Sequence, residues 1–579
     1  MQSNVRQKIL AGVSVSVSVL SSISAQEVTK EPNIIIIMAD QLRVDLLQRE
    51  GYPLNTMPFA DNLAKNGTWF DCAYTSAPAS GPARVSMLTG RFPSATHVKS
   101  NHNIKDAYYT KDLFDVAKEK GYTTAMVGKN HSHLTADRVD YWSPYNHGGQ
   151  ESRNKSEKGK AFDRYLGTLD MYASMEPSPY GVEAQLPYRM VDDACHWIDS
   201  HKDKPFLMWF SIAEPHNPYQ VCEPYYSMFP PESLPEMGSS AKDLNTKGEE
   251  YQLLAEMMAQ GHVGYRENLQ RLRSNYHGML RMIDDQLSRF VGELKKNGVY
   301  DNTIIIFVAD HGDYVGEYGL MKKGVGLDDV LTRIPMQWTG PGIKASAIPH
   351  NAHVSIIDIF PTICEIIGAE IPMGVQGRSL WPLLQGKEYP EQEFRSVMAQ
   401  DGFGGMYYTK VDATDYREEG AVGKKGLFFD ELNTWTQSGT MRMLRKGDWK
   451  LVYDMNANGQ LYNLKADPSE LNNLFSDKKF NKVKNEMIEE LLRWDISTHD
   501  PLPIPRQRYR FMSSCSRCSS SCIRGAARVL QRSIRSSRGS TRCRFGRESS
   551  CSGWLRRSSS RGTPYSSRSG SRHRRLLSC

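Results

Sequence analysis

The chain has 579 residues, 39% of them hydrophobic and 10% aromatic, so it can form one large domain and a smaller one. Its net charge of +7 is unevenly distributed, because residues 506–579 carry 19 Arg and one Glu without Lys or Asp, a net +18 that leaves −11 for the rest. A core of this size excludes a wholly disordered chain, and the acidic body argues against a nucleic-acid partner.

Residues 1–25 have the pattern of an export signal. Arg6 and Lys8 form a basic head, an apolar run covers residues 9–20, and Ile23-Ser24-Ala25 is typical of a cleavage site before Gln26. The run is too short and too rich in serine for a membrane span, and the alternative is a buried strand of alternating Val and Ser. We expect a periplasmic or extracellular protein with no membrane span.

Residues 506–579 form a second compositional block, rich in Arg, Ser, Cys and Gly. They lack apolar periodicity, so we expect them to be disordered. One interpretation is a basic arm that binds polyanions. The abrupt change of composition favours the other, which is a frameshift near residue 505 that appends out-of-frame residues.

The body contains four cysteines, Cys72, Cys195, Cys222 and Cys364, and none has the CxxC spacing of a metal site. One or two disulfides and four buried thiols are both compatible with this wide spacing.

Four short apolar runs predict strands that are buried on both faces. They are Asn33–Met38, Thr123–Val127, Phe206–Ile212 and Thr303–Val308. Helical patterns lie between them, over Pro58–Asn66, over Lys111–Lys120, and in an apolar repeat from Leu280 to Leu294 that ends at Asn297-Gly298. This alternation predicts an α/β domain over residues 26–385, with a large, mostly parallel sheet flanked by helices.

The pattern changes beyond residue 385. Short strand-like runs at Met443–Leu444, Trp449–Tyr453 and Gln460–Tyr462 precede an amphipathic pattern at Phe480–Trp494. We predict a smaller domain over residues 386–505, with a short antiparallel sheet and a helix packed on it.

Polar residues follow each of the four predicted strands. They are Asp40-Gln41, Gly128-Lys129-Asn130-His131, Glu214-Pro215-His216-Asn217 and Asp310-His311-Gly312-Asp313. Because ligands bind beyond the carboxyl ends of parallel strands, these residues outline a site. Asp40, Gln41, Asp310 and His311 supply hard oxygen donors and an imidazole, which favours Ca²⁺ and leaves Mg²⁺ open.

The segment Ser80-Gly81-Pro82-Ala83-Arg84 lacks the GxSxG pattern of a serine nucleophile. By itself it predicts a turn, with Pro82 opening a helix. A free serine is also a weak nucleophile without a neighbouring base.

Ser80-x-Pro82-x-Arg84 with Leu88-Thr89-Gly90-Arg91 nevertheless resembles the signature of the formylglycine-dependent sulfatases of the alkaline phosphatase superfamily. The resemblance covers roughly residues 32 to 475. It includes the motifs Gly128-Lys129-Asn130-His131, Pro215-His216-Asn217-Pro218, Asp310-His311-Gly312, Gly319-Leu320-Met321-Lys322-Lys323, Gln460-Leu461-Tyr462-Asn463-Leu464 and Asp467-Pro468.

The resemblance implies an alkaline-phosphatase-like fold and the hydrolysis of sulfate esters. Ser80 would be oxidised to formylglycine and hydrated to a gem-diol. One hydroxyl attacks sulfur and the ester oxygen leaves; the second then loses its proton, which expels sulfate and restores the aldehyde.

The resemblance also implies roles for other residues. Arg84, Lys129 and Lys323 would surround the sulfate with positive charge, and the four metal-binding candidates would hold Ca²⁺ beside the hydrate. His216 or Lys323 would protonate the leaving oxygen, and His131 would take the second proton. Structural histidines and a ligand role for Lys322 in place of Lys323 are the alternatives.

Two positions depart from the commoner family pattern. Ser80 replaces Cys, as in serine-type bacterial members, which implies a radical-SAM maturase as a partner. His311 stands where many relatives have Asn.

Three functions remain open at this point. The first is hydrolysis of sulfate esters, with a sulfated carbohydrate as the expected substrate because of the export signal. The second is a phosphomonoesterase or phosphonate hydrolase of the same superfamily. The third is a non-catalytic glycan-binding protein in which Ser80 stays unmodified.

Overall fold

The computed structural model describes residues 31–151, 156–262, 264–404 and 438–499, together with residues 406, 407 and 409. The predicted signal at 1–25 and tail at 506–579 lie outside these residues and stay predictions. The proposed bounds of the two domains, 26–385 and 386–505, also stay predictions.

A mixed eight-stranded sheet forms the centre of the described chain. The described residues form fourteen strands in three sheets. In chain order they are β1 (Asn33–Asp40), β2 (Thr68–Trp69), β3 (Ala73–Tyr74), β4 (Thr123–Lys129), β5 (Tyr141–Asn146), β6 (Gly149–Gln150), β7 (Phe206–Pro215), β8 (Thr303–Ala309), β9 (Met336–Thr339), β10 (Val354–Ser355), β11 (Ser396–Gly404), β12 (Gly439–Lys446), β13 (Trp449–Asp454) and β14 (Gly459–Asn463). The large sheet has the order β2-β9-β8-β1-β7-β4-β5-β6, and β3 pairs with β10.

The middle of the large sheet is parallel. Strands β8, β1, β7, β4 and β5 run in one direction, whereas β9 and β6 pair antiparallel at either side. All residues of β1, β7 and β8 are buried, which explains why their sequences are continuous apolar runs rather than alternating ones. The four predicted strands are confirmed.

Helices cover the sheet in two groups. The α-helices of the described chain are α1 (Pro58–Lys65), α2 (Ser80–Thr89), α3 (Pro93–Thr96), α4 (Leu113–Glu119), α5 (Glu157–Thr168), α6 (Leu186–His201), α7 (Tyr225–Met228), α8 (Glu249–Gly261), α9 (Leu269–Lys296), α10 (Asp329–Thr332), α11 (Ile359–Ile366), α12 (Trp381–Leu384) and α13 (Asn481–His499). Helices α1, α6 and α9 pack together, as do α2, α4 and α11.

Local sequence explains individual helices. Asp112 caps α4 by accepting from the backbone N–H groups of Phe114 and Asp115, and the Asp115 side chain accepts from the Asp112 N–H in return. On α9, the predicted apolar stripe from Leu280 to Leu294 is buried. Each such side chain contributes about 1.5–3 kcal/mol on burial.

A second, antiparallel sheet lies after the large one in sequence, with the order β11-β12-β13-β14. It confirms the predicted antiparallel sheet, and α13 confirms the helix that packs on it. Strand β11 was not predicted from the sequence. Cys72, Cys195, Cys222 and Cys364 are free thiols, which favours thiols over disulfides, but only Cys222 and Cys364 are buried and the other two are partly exposed.

Within the described part of the chain, we find no helix that is both long and apolar enough to cross a bilayer.

Candidate active site

The ends of four parallel strands bring the predicted site residues to one edge of the sheet. Asp40 ends β1, Lys129 ends β4, His216 follows β7 and Asp310 follows β8. Strand β1 pairs with both β7 and β8, so three of these strand ends are adjacent.

Asp40, Asp310 and His311 form a buried cluster. One ligand atom of each lies within 4.8 Å of the others, and all three residues are fully buried. The Nδ1 of His311 lies 2.8 Å from the carbonyl oxygen of Gly312, so Nδ1 must carry the proton and Nε2 the lone pair. The cluster therefore offers two carboxylates and one imidazole nitrogen.

Gln41 joins this cluster through its backbone and its side chain. Its N–H donates to Asp310 Oδ1 at 3.0 Å, and its side-chain oxygen accepts from Lys323 Nζ at 2.8 Å. Its Nε2 donates to Asp313 Oδ2 at 2.5 Å. The φ angle of 67° is left-handed and uncommon for a residue other than glycine, and such backbone strain concentrates at functional sites.

Ser80 is the first residue of α2, with Ala79 as the N-cap. The prediction of a turn with a helix opening at Pro82 is therefore wrong by two residues, because the helix already begins at Ser80. The buried Oγ of Ser80 lies 3.0 Å from His311 Nε2 and 3.4 Å from Asp40 Oδ1. Ser80 thus lies directly against the carboxylate–imidazole cluster.

Arg84 lies one helical turn after Ser80 and is fully buried. Its Nε donates to Asp310 Oδ2 at 2.9 Å, and its Nη2 lies 3.2 Å from Asp40 Oδ2. Its Nη1 donates to Ser211 Oγ at 2.7 Å and to the carbonyl oxygen of Lys129 at 2.8 Å. The guanidinium is held on both sides, so its orientation is fixed.

Lys129 is the second cation on Asp40. Its Nζ forms an ion pair with Asp40 and lies 2.8 Å from His147 Nε2. Burial pushes the pKa of Asp40 upward, but the charges of Lys129 and Arg84 hold it well below its usual range. Burial lowers the pKa of Lys129 in turn.

A cavity of about 470 Å³ opens above this group. Its inner wall includes Ser80, Lys129, His131 and His216. Burial keeps the pKa values of both histidines well below 6.5, so both rings are neutral near pH 7. The His216 Nδ1 lies 2.8 Å from the carbonyl oxygen of Asn217, which leaves its Nε2 with the lone pair.

The known family whose profile matches this chain is described as Sulfatase, and the match covers residues 32–369, more than half of the chain. The chain belongs to the sulfatase family. The family consists of sulfuric ester hydrolases within the alkaline phosphatase superfamily, so the predicted membership of the sulfatase family is confirmed.

Individual relatives extend the similarity over most of this sulfatase. A choline-sulfatase of Rhizobium meliloti is 26% identical and covers 77% of this chain and 83% of its own length. An N-acetylglucosamine-6-O-sulfatase of Bacteroides thetaiotaomicron is 25% identical over 80% of this chain and 86% of its own.

The fold of this sulfatase is also that of a phosphonate monoester hydrolase of Agrobacterium radiobacter. The two structures superpose with a TM-score of 0.66 at 23% identity, over 81% of this chain and 96% of the other. The predicted alkaline-phosphatase-like fold is thereby confirmed.

The side chains of the two adjacent lysines of the sulfatase point in different directions. The Nζ of Lys323 points to Gln41, whereas the Nζ of Lys322 lies 3.2 Å from His262 Nε2, away from the cluster. Burial lowers the pKa of Lys323 to about 7 and that of Lys322 to about 8. Lys323 is therefore the lysine with access to the site.

Two further residues of the sulfatase site were not predicted. His147 follows β5, which carried no strand signal in the sequence, and its ring stacks on His216 with centroids 3.7 Å apart. Ser211 lies in the apolar run of β7 and accepts from Arg84. A single serine within a buried run was the available signal for the second.

Proposed function

We propose that this sulfatase hydrolyses sulfate esters of a carbohydrate, with Ser80 oxidised to formylglycine and one Ca²⁺ bound beside it. The observation that carries the proposal is the position of Ser80 Oγ, 3.0 Å from His311 Nε2 and 3.4 Å from Asp40 Oδ1. A nucleophile at this point lies between a metal-binding cluster and an open cavity.

The residues present fit a hard divalent cation. Asp40, Asp310 and Gln41 offer oxygen atoms, and the protonated Nδ1 of His311 leaves its Nε2 free to bind metal. When bound, Ca²⁺ would supply positive charge that stabilises the nucleophile and the sulfate oxygens.

The chain's own cations support the same chemistry. Arg84 and Lys129 are fixed beside Ser80 by Asp40, Asp310 and Ser211, so they can neutralise a sulfate without reorganisation during the reaction. Lys323 adds a third basic group at the Gln41 side of the cluster, which carries a positive charge below its pKa of about 7.

Proton transfer needs an acid and a base that reach the cavity. His131 and His216 line it, and their neutral rings can each accept a proton. We assign the donation to the leaving oxygen to Lys323 or, after its Nε2 has taken up a proton, to His216, and the removal of the second nucleophile proton to His131.

The substrate class rests on the export signal and on relatives. One relative is named for N-acetylglucosamine and another for choline, so family membership alone does not choose between them. Export, with a mature chain from Gln26, favours a glycan outside the cytoplasm. Amino-terminal sequencing of the mature protein would test this part directly.

A phosphonate hydrolase is the second candidate, because the fold is shared with one. Within the described residues, Asp40, Asp310 and His311 form the single cluster of acidic, histidine or cysteine side chains with metal-binding geometry. This argues against a two-metal phosphomonoesterase, which needs a second metal-binding cluster, and leaves the phosphonate hydrolase as the alternative to test. Rates on paired sulfate and phosphonate esters would separate the two functions.

The decisive experiment is the mass of the Ser80 peptide from protein produced with a radical-SAM maturase. We expect the loss of two hydrogens at Ser80, and turnover of sulfate esters only in the modified protein. An unmodified serine in an active enzyme would overturn the formylglycine mechanism, and modified protein inactive on every sulfate ester would overturn the proposed reaction. The Ser80→Ala variant is the matched control.

A further inference from the structure

One face of β5 is fixed to the body of the protein. The hydroxyls of Ser143 and Tyr145 donate to the same oxygen of Asp193, on α6, at 2.6 and 2.8 Å. Gln150 donates to that oxygen as well, at 3.1 Å. Three hydrogen bonds to one carboxylate hold the β5–β6 hairpin rigidly.

The other face of β5 lines the cavity. Side chains alternate along a strand, so Trp142, Pro144 and Asn146 lie on the face opposite to Ser143 and Tyr145. All three line the cavity, and Tyr145 contributes to its wall as well. Trp142 is half-buried and offers a large apolar surface. The rigid hairpin therefore presents an indole as part of the cavity wall.

Glu151 completes this wall beyond β6. Its N–H donates to the carbonyl oxygen of Pro144 at 2.9 Å, and its Oε1 accepts from Asn146 Nδ2 at 3.1 Å. The carboxylate is exposed and lines the cavity. Its second oxygen can accept from a ligand.

Charge is divided between the two ends of the cavity. Of the described residues in its wall, Lys129 is the one lysine or arginine, and it lies at the Ser80 end. The exposed, outer part of the wall offers the amide of Asn146 and the carboxylate of Glu151. Among the described residues of this outer wall, a second sulfate or a carboxylate on the substrate would meet the negative charge of Glu151 and no lysine or arginine.

We infer that this outer wall is a subsite for a neutral sugar ring that carries a single sulfate. Trp142 stacks on the apolar C–H face of the ring, and Glu151 accepts hydrogen bonds from its hydroxyls. The inference rests on the proposed sulfatase function and names the substrate class of the same site.

The experiment measures binding by calorimetry in the Ser80→Ala protein, so that no turnover is needed. The probes are 6-sulfated galactose, 6-sulfated N-acetylglucosamine, glucosamine 2-N,6-O-disulfate and choline sulfate. Trp142→Ala and Glu151→Gln are compared with Tyr300→Ala, a half-buried aromatic just before β8, at the opposite edge of the sheet.

We expect one of the monosulfated sugars to bind tightest, and Trp142→Ala to weaken it about tenfold. Glu151→Gln should weaken that sugar and strengthen the disulfated one, because it removes the repulsion. Tyr300→Ala should change neither. The subsite would be overturned if the Ser80→Ala protein without a second substitution bound the disulfated sugar or choline sulfate more tightly than the monosulfated sugars. It would also be overturned if the Trp142 and Glu151 variants left all affinities unchanged.

This result is separable from the proposed reaction. Failure of the formylglycine mechanism appears in the mass of the Ser80 peptide, whereas failure of the subsite appears in binding that needs no modified residue.

Discussion

The imidazole of His147 stacks on that of His216, with ring centroids 3.7 Å apart and planes inclined by 14°. The same His147 places its Nε2 2.8 Å from Lys129 Nζ. One residue from the β5–β6 turn thus contacts two groups to which we assign roles in the reaction, although it belongs to neither of their strands.

We therefore expect His147→Ala to lower kcat roughly tenfold with little change in KM, because both His216 and Lys129 lose the contact that orients them. The His147→Phe variant keeps the stacking and loses the bond to Lys129, so it separates the two contributions. Steady-state kinetics on a sulfate ester is the measurement. The control is His201→Ala, which removes a histidine stacked on Trp197 at a centroid distance of 4.6 Å. Equal losses of kcat in His147→Ala and His201→Ala would contradict the assignment.

The adjacent lysines provide a matched pair. We expect Lys323→Met to reduce turnover about 100-fold, because its ammonium faces Gln41 and the site. Lys322→Met should retain most of the turnover, since that side chain points to His262. Kinetics and thermal unfolding are measured together, because both lysines are buried. Comparable loss of turnover in two stably folded variants would contradict the distinction.

Calcium should stabilise the folded protein. Binding at the cluster of Asp40, Asp310 and His311 neutralises two buried carboxylates, and a ligand at 100 times its Kd adds about 2.7 kcal/mol. We expect the Tm of the wild type to rise with Ca²⁺ and to fall with a chelator. Asp310→Ala should lose this response, and Asp301→Ala, an exposed residue at the opposite edge of the sheet, should keep it. A response that survives in Asp310→Ala would place the ion elsewhere.

A histidine outside the site should make the fold sensitive to acid. His277 on α9 is buried, with Nδ1 2.7 Å from the carbonyl oxygen of Arg273 and Nε2 2.7 Å from Tyr52 Oη. Burial lowers its pKa to about 4, below the value of about 6.5 in the unfolded chain. The neutral ring therefore stabilises the fold fully above pH 6.5, and this contribution is lost as the pH falls toward 4.

The contribution amounts to roughly 3 kcal/mol between these limits. We expect urea unfolding at pH 7.5 and 4.5 to show a smaller pH dependence in His277→Gln than in the wild type. His196→Gln, which changes an exposed histidine of α6, should behave like the wild type. An unchanged pH dependence in His277→Gln would contradict the prediction.

Much of the fold was predictable because a strand that is buried on both faces has a continuous apolar sequence. The runs at residues 33–38, 206–212 and 303–308 are apolar apart from Asn33, Ser211 and Thr303, since both faces of their sheet are buried. Strand β11 (Ser396–Gly404) lacked such a sequence, because it contains Gln400 and Asp401 within its buried stretch.

The sequence by itself determined the family, the parallel sheet and the set of polar residues that follow its strands, because motif order and strand periodicity are local properties of the chain. Only the tertiary structure decided that Lys323 rather than Lys322 faces Gln41, that Ser211 anchors Arg84, and that His147 joins Lys129 and His216. These relations join residues from separate elements through side-chain direction and burial, and neither of these is encoded in the spacing of residues along the chain.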